Sequence, residues 1–202
     1  GQRCSALRIL CVQEEIEPRT LDLLKGYMEE LTIGDPRLLS TDVGPCIDDP
    51  SRKTLAAHVE RMAKEQRVVH RCTLPEGSDA GTFFAPTLVE IDDINALTEE
   101  QFGPILHVVK FKSRHLDKMV DAVNGTGFGL TMGLHSRIDS RAREIAKLSG
   151  AGNIYINRNM IGAVVGVQPF GGWKGSGSTG KSALGPYYVG LFVREQSHTI
   201  VD

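Results

Sequence analysis

The residue best suited to covalent chemistry is Cys4, set in Gly1-Gln2-Arg3-Cys4-Ser5-Ala6 just ahead of an apolar run through Leu7, Ile9, Leu10 and Val12. A reactive thiol needs backbone amides around it, to stabilise the thiolate and any oxyanion it creates. A glycine-flanked turn entering a strand offers such amides. A lone cysteine is more often a small buried hydrophobe, so this signal decides nothing by itself. A second group is Glu99-Glu100-Gln101-Phe102-Gly103-Pro104. Its carboxylate suits the ribose hydroxyls of a nucleotide and its ring suits a nicotinamide; alone, the same residues read as a helix end and a turn. The third group is Asn157-Arg158-Asn159, then Gly162-Ala163, then Gln168-Pro169-Phe170-Gly171-Gly172-Trp173-Lys174-Gly175-Ser176-Gly177. Glycines at that density let a backbone approach a ligand closely and expose N–H groups to an anion. The apolar Val164, Val165, Phe170 and Trp173 argue against a merely flexible loop.

These residues need a scaffold, and the pattern around them predicts one. Ala6 to Gln13 reads as a buried strand. Pro18 suits the first turn of a helix that places Leu21, Leu24 and Leu31 on one face. Gly34-Asp35-Pro36 ends that unit. Asp49 and Ser51 are candidate caps for a helix to about Gln66. Strands follow at Arg67–Leu74, Thr87–Ile91, Ile105–Phe111, Thr131–His135 and Asn153–Asn157. Helices are expected at Leu116–Val123, stopped by Asn124-Gly125, and from a cap at Asp139 to Leu148. Strands alternating with helices predict an α/β fold: a largely parallel sheet flanked by helices on both faces. Gly162 to Gly180 reads as a long ordered loop, of the kind that is usually functional. Leu191 to Glu195 alternates like an edge strand for assembly. The expected division is a catalytic domain over residues 1–186 and a strand-bearing tail over 187–202.

Composition narrows the class. Hydrophobic residues are 41% and charged residues 24% of the 202, ordinary for a globular chain. A formal net charge of −2 gives no reason to expect nucleic acid or an anionic membrane as partner. No apolar run is long enough to span a bilayer. Cys4, Cys11, Cys46 and Cys72 form no C-x-x-C pair, and the six histidines are scattered, so neither zinc nor any other metal is expected. Reduced thiols in a cytoplasmic setting are the default.

Taken together and in order, Gly-Gln-Arg-Cys, Glu-Gln-Phe-Gly-Pro and Pro-Phe-Gly-Gly-Trp-Lys-Gly-Ser-Gly resemble the aldehyde dehydrogenase superfamily over essentially the whole chain. Residues 1–8 and 157–172 look most like the glutamate-semialdehyde (1-pyrroline-5-carboxylate) dehydrogenase domain of bacterial bifunctional proline utilisation enzymes. The resemblance implies that Cys4 attacks the aldehyde carbon and that its own amide forms half of the oxyanion hole. It implies that Glu100 and Phe102 hold the nicotinamide ribose of NAD, with NADP left open. It implies that Ser5, Gly162 and Ala163 anchor the α-carboxylate of L-glutamate γ-semialdehyde, and that Phe170 walls the aldehyde pocket. Ser182 and Ala183 depart from the glycine-rich sequence expected after the Pro-Phe-Gly-Gly segment.

The superfamily's pyrophosphate-binding glycine turn, general-base glutamate and oxyanion asparagine lie ahead of the cysteine, and none is in these 202 residues. The late glycines do not replace them, since no G-x-G-x-x-G joins a strand to a helix. The chain is therefore expected to be the C-terminal part of a longer protein, inactive without its N-terminal cofactor-binding half, and to form homo-oligomers through its last strand. Two alternatives stay open: an aldehyde dehydrogenase for another substrate such as succinate semialdehyde, and a non-catalytic assembly module in which Cys4 is incidental.

Overall fold

The computed structural model describes residues 1–161, 163–164, 166–194 and 196–201. Contacts group the chain into two compact units, Gly1–Val123 and Asn124–Asp202.

In the first unit, four strands form one sheet in the order β1 (Ile9–Gln13), β4 (Ile105–Phe111), β3 (Thr87–Glu90), β2 (Arg67–Arg71). β1/β4 and β3/β4 are parallel, and β2 joins the edge antiparallel, with its register broken between Val68 and His70. Neighbouring residues on β3 and β4 point to opposite faces, as strand geometry requires. Leu88 and Val108 face α1 (Glu17–Glu29) with Val12 and Leu21. Val89, Ile105 and Val109 face α2 (Asp49–Glu65) through Leu55, Val59 and Met62. Met119, Ala122 and Val123 of α3 (Leu116–Gly125) pack on that same cluster. Both sheet faces are thus covered, and the largely parallel α/β expectation holds.

Local departures have physical reasons. α1 ends at Glu29, so Met28 and not Leu31 completes the apolar stripe begun by Leu21 and Leu24. The cap of α2 is Asp48: its extended backbone lets Oδ1 accept from the Ser51 amide at 2.8 Å, whereas Asp49 is already helical. β1 begins at Ile9, because residues 3–6 are occupied by a turn.

In the second unit, β6 (Thr131–Leu134) and β7 (Asn153–Ile156) are parallel and joined by α4 (Asp139–Leu148), which buries Ala142 and Ile145. Asp139 does not cap α4; the cap position is Ile138, without a side-chain bond, and Asp139 lies in the first turn, where a carboxylate favours the helix dipole. Asn124 does not stop α3 either. Its side chain accepts from Gly150 N at 2.7 Å and donates to Leu148 O at 2.9 Å, closing the end of α4.

The expected loop from Gly162 to Gly180 contains strands. β8 (Phe170–Lys174) pairs antiparallel with β9 (Thr179–Leu184) and with β5 (Phe128–Gly129). Its glycines serve strand packing: a Cβ on Gly172 would lie 2.9 Å from Gly129 O, and one on Gly152 2.3 Å from Gly171 O. The expected strand at Leu191–Glu195 is absent among the described residues. A short helix α5 (Pro186–Val189) and a 3₁₀ turn over Gly190–Phe192 occupy that region, and Leu191, Phe192 and Val193 are exposed. Among the described residues, no ladder pairs this segment with another strand. No helix among the described residues is long and apolar enough to cross a membrane.

Candidate active site

Cys4 occupies the second position of a turn closed by Ala6 N donating to Arg3 O at 3.1 Å. Its thiol is exposed, while Cys11 is half-buried and Cys46 and Cys72 are buried. Burial pushes the Cys11 thiol up to about 12 and raises those of Cys46 and Cys72, so all three resist ionisation. Among the described residues, no acceptor takes the amide of Cys4 or of Ser5. Ser5 beside it is buried, at 9% exposure, and its hydroxyl has no hydrogen-bond partner among the described residues.

The Glu100–Phe102 motif lies directly against this turn. A Cβ on Gly1 would come within 2.5 Å of Gly103 O, and one on Gly103 within 2.3 Å of Leu55 Cδ1, so glycine is required at both places by contact. Arg8 completes the junction. Its Nη1 donates to Gly1 O and its Nη2 to Arg3 O, each at 2.7 Å. The guanidinium lies over the Phe102 ring at 4.6 Å, and Nε faces Glu100 Oε1 at 3.5 Å. Burial pulls the Arg8 pKa down, and the Glu100 carboxylate opposes that shift. The outer side of the motif stays open: the Phe102 ring is 42% exposed and the Glu100 side chain 39%. A half-exposed carboxylate, able to accept from two ribose hydroxyls, beside an exposed ring fits a ribose and a planar heterocycle.

Behind Arg8 sits a buried pair. His107 Nδ1 and Arg8 O are 3.2 Å apart, and His107 Nε2 meets His58 Nε2 at 2.8 Å. Sequence reasoning missed Arg8 and both histidines. Arg8 had a readable signal, a cation inside the run Leu7-Arg8-Ile9-Leu10; the histidines had none, since their meeting depends on how α2 lies across β4.

Of the residues expected in the second unit, Phe170 is buried at the start of β8 and Ala163 is half-buried. Gly162 lies outside the described residues. Asn153 anchors the region, donating from Nδ2 to Leu130 O at 3.0 Å and Gly171 O at 2.5 Å. Asn157, at φ 55°, adopts the left-handed conformation that asparagine tolerates. Its side chain accepts from Ser136 N and donates to Ser136 O, each at 2.9 Å, fixing where the chain leaves β7. An open cleft of about 710 Å³ runs along β7 past Tyr155, Arg158, Gln168 and Lys181, but neither Ala163 nor Phe170 lines it. No group of three or more potential metal ligands occurs among the described residues.

A model of the aldehyde dehydrogenase family matches residues 1–197. The chain is 46% identical over 194 residues to the bifunctional protein PutA of Klebsiella aerogenes, covering 94% of this chain and 15% of that protein. It is 34% identical over 205 residues to a 1-pyrroline-5-carboxylate dehydrogenase of a Geobacillus species, covering 100% of this chain and 38% of the other. A crystal structure of a Bradyrhizobium japonicum proline utilization A (PutA) mutant superposes with a TM-score of 0.90 at 48% identity, over 96% of this chain and 20% of that one. The chain thus spans well under half the length of these relatives.

Proposed function

The chain belongs to the aldehyde dehydrogenase family, and from that premise we propose that it carries the nucleophile of an enzyme oxidising L-glutamate γ-semialdehyde to L-glutamate in proline catabolism. The observation that carries this reading is the junction of two motifs: an exposed thiol on a turn with untaken amides, packed against a carboxylate and ring that fit a nicotinamide ribose.

Cys4 Sγ adds to the aldehyde carbon, and the carbonyl oxygen becomes an alkoxide held by the Cys4 amide. Glu100 and Phe102 would hold the nicotinamide ribose of NAD, with NADP also compatible; a bound nicotinamide supplies the hydride acceptor. The thioester left on Cys4 is released by water as the carboxylate, which restores the thiol. Ser5, Gly162 and Ala163 are the proposed donors for the substrate's α-carboxylate, and Phe170 the proposed pocket wall. Donors left unpaired would discriminate against aldehydes lacking that carboxylate. This substrate reading draws on the likeness to PutA and 1-pyrroline-5-carboxylate dehydrogenase.

The same reading treats residues 1–186 as catalytic and 187–202 as an assembly tail for a homo-oligomer, within a longer cytoplasmic protein that supplies the cofactor-binding half, the general base and the second oxyanion donor. The 202-residue chain alone is then inactive. The test is NADH formation by the full-length protein, wild type and Cys4→Ala, with glutamate semialdehyde against an uncharged aldehyde of similar length. A strong preference for the semialdehyde, lost with Cys4, is expected. Activity without that preference would overturn the substrate, and activity surviving Cys4→Ala the mechanism.

A further inference from the structure

Arg8 stands one step behind the reacting atoms, and its geometry exceeds what packing requires. We propose that Arg8 is a positioning residue that fixes the direction of the Cys4 amide and thereby the strength of oxyanion binding. The proposal rests on the reading of Cys4 as nucleophile.

In a trans peptide the C=O of one residue and the N–H of the next lie in one plane and point in opposite directions. The described chain has no cis peptide. The carbonyl of Arg3 and the amide of Cys4 therefore belong to a single rigid plate. Arg8 Nη2 holds that carbonyl at 2.7 Å, and Ala6 N holds it from within the turn at 3.1 Å. With the oxygen gripped on the guanidinium side, the Cys4 N–H must point away from Arg8. The second fork of the same guanidinium holds Gly1 O at 2.7 Å, so the chain entering the turn is fixed as well. Holding two carbonyls in one fixed plane suits the rigid arginine fork, whereas the lysine ammonium is a compact point charge on a flexible stem.

Arg8 is itself held in place. Its plane rests on Phe102, and its Nε faces Glu100. The side chain is only 15% exposed, and burial opposes its charge. An apolar residue would fill this space without that penalty. The cation is explained by what it orients.

The experiment uses the full-length protein with Arg8→Lys, Arg8→Gln and Cys4→Ala, and reads three rates. Hydrolysis of p-nitrophenyl acetate without nicotinamide needs the thiol and the oxyanion donor. Aldehyde oxidation needs both and a hydride acceptor. Alkylation of Cys4 by iodoacetamide needs the thiol but forms no oxyanion. We expect both Arg8 variants to lose ester hydrolysis and aldehyde oxidation by a common factor of about 10 to 100, approaching the loss of one oxyanion donor. We expect KM for the aldehyde to stay within about threefold, and Cys4 alkylation in Arg8→Lys, which keeps the charge, to stay close to wild type.

Equal loss of alkylation would place the effect on the thiol and overturn the proposal. Loss of aldehyde oxidation with ester hydrolysis intact would place it on the cofactor side, and unchanged rates would remove it altogether. Labelling of the buried Cys46 in both variants would show Arg8 to be a structural strut, which also overturns it. Ester hydrolysis and aldehyde oxidation persisting in Cys4→Ala would instead refute the nucleophile reading beneath it.

Discussion

The histidine pair behind Arg8 makes stability depend on pH in a calculable way. His58 is 6% exposed and His107 1%, and they share one hydrogen bond. Because His107 Nδ1 faces the Arg8 carbonyl oxygen, that nitrogen must carry the proton, leaving Nε2 to accept from His58 Nε2–H. Burial holds both imidazoles down to about 4; at His107 the bond to the Arg8 carbonyl opposes the shift while His58, Arg61 and the Arg8 charge add to it, and at His58 Arg61 adds to it and Glu65 opposes it. The folded pKa lies below the unfolded value of about 6.5, so the unfolded chain binds more protons between those limits and stability falls as pH drops through them. At pH 5 a folded imidazole is still neutral, while an unfolded one is protonated about 1.5 units below its pKa. That is worth about 2 kcal/mol per imidazole at about 1.36 kcal/mol per unit. Because the two sites are coupled, the pair should cost between about 2 and 4 kcal/mol. Urea unfolding of the protein at pH 7.5 and pH 5, for wild type and His58→Leu/His107→Leu, measures it. The wild type should lose at least about 2 kcal/mol more than the double variant. Parallel losses in the two proteins, or titration near 6.5 of the imidazole NMR signals that the double variant lacks, would refute the reasoning.

Three further outcomes are expected. At pH 8 a thiol reagent should modify Cys4 in the folded protein, with Cys11, Cys46 and Cys72 reacting only on unfolding; mass spectrometry of the digested adduct reads this. Gly103→Ala should lower stability by about 1 to 3 kcal/mol, because its Cβ would lie 2.3 Å from Leu55 Cδ1, and the added cost should shrink in a Leu55→Ala background, as a double-mutant cycle in urea would show. Asn153→Leu should cost about 1 to 3 kcal/mol, since Gly171 O loses its side-chain donor while Leu130 O keeps the Asn153 backbone amide, and the loss should appear as a drop in the urea midpoint.

Legibility in the sequence followed how strongly a segment's partners are specified locally. Ile105–Phe111 was readable to the residue because β4 is central: both of its faces are covered, so its residues run apolar apart from His107 and the exposed Lys110 near its end. α2 was placed from its cap residues to within a residue at its end, but its cap was missed, because Asp48, Asp49 and Ser51 all have capping side chains and only backbone conformation chooses among them. β8 was invisible because Phe170-Gly171-Gly172 has no alternation: its glycines answer to close neighbours, Gly129 and Gly152, that are distant in sequence.

The same distinction applies to the candidate site. Cys4, Glu100 and Phe102 could be singled out because each has a side chain with its own chemistry. That they form one object could not, because the joint is made by groups without sequence character: the missing Cβ atoms of Gly1 and Gly103, and the carbonyls of Gly1 and Arg3. Arg8 alone among the joining groups carries a distinctive side chain, and it lies where a buried strand was expected to begin. A charge at such a position is expensive unless paired. Its presence in an apolar run is therefore itself a statement that partners exist, and here the partners of the fork are one carbonyl of the turn that presents the thiol and one of the chain entering it.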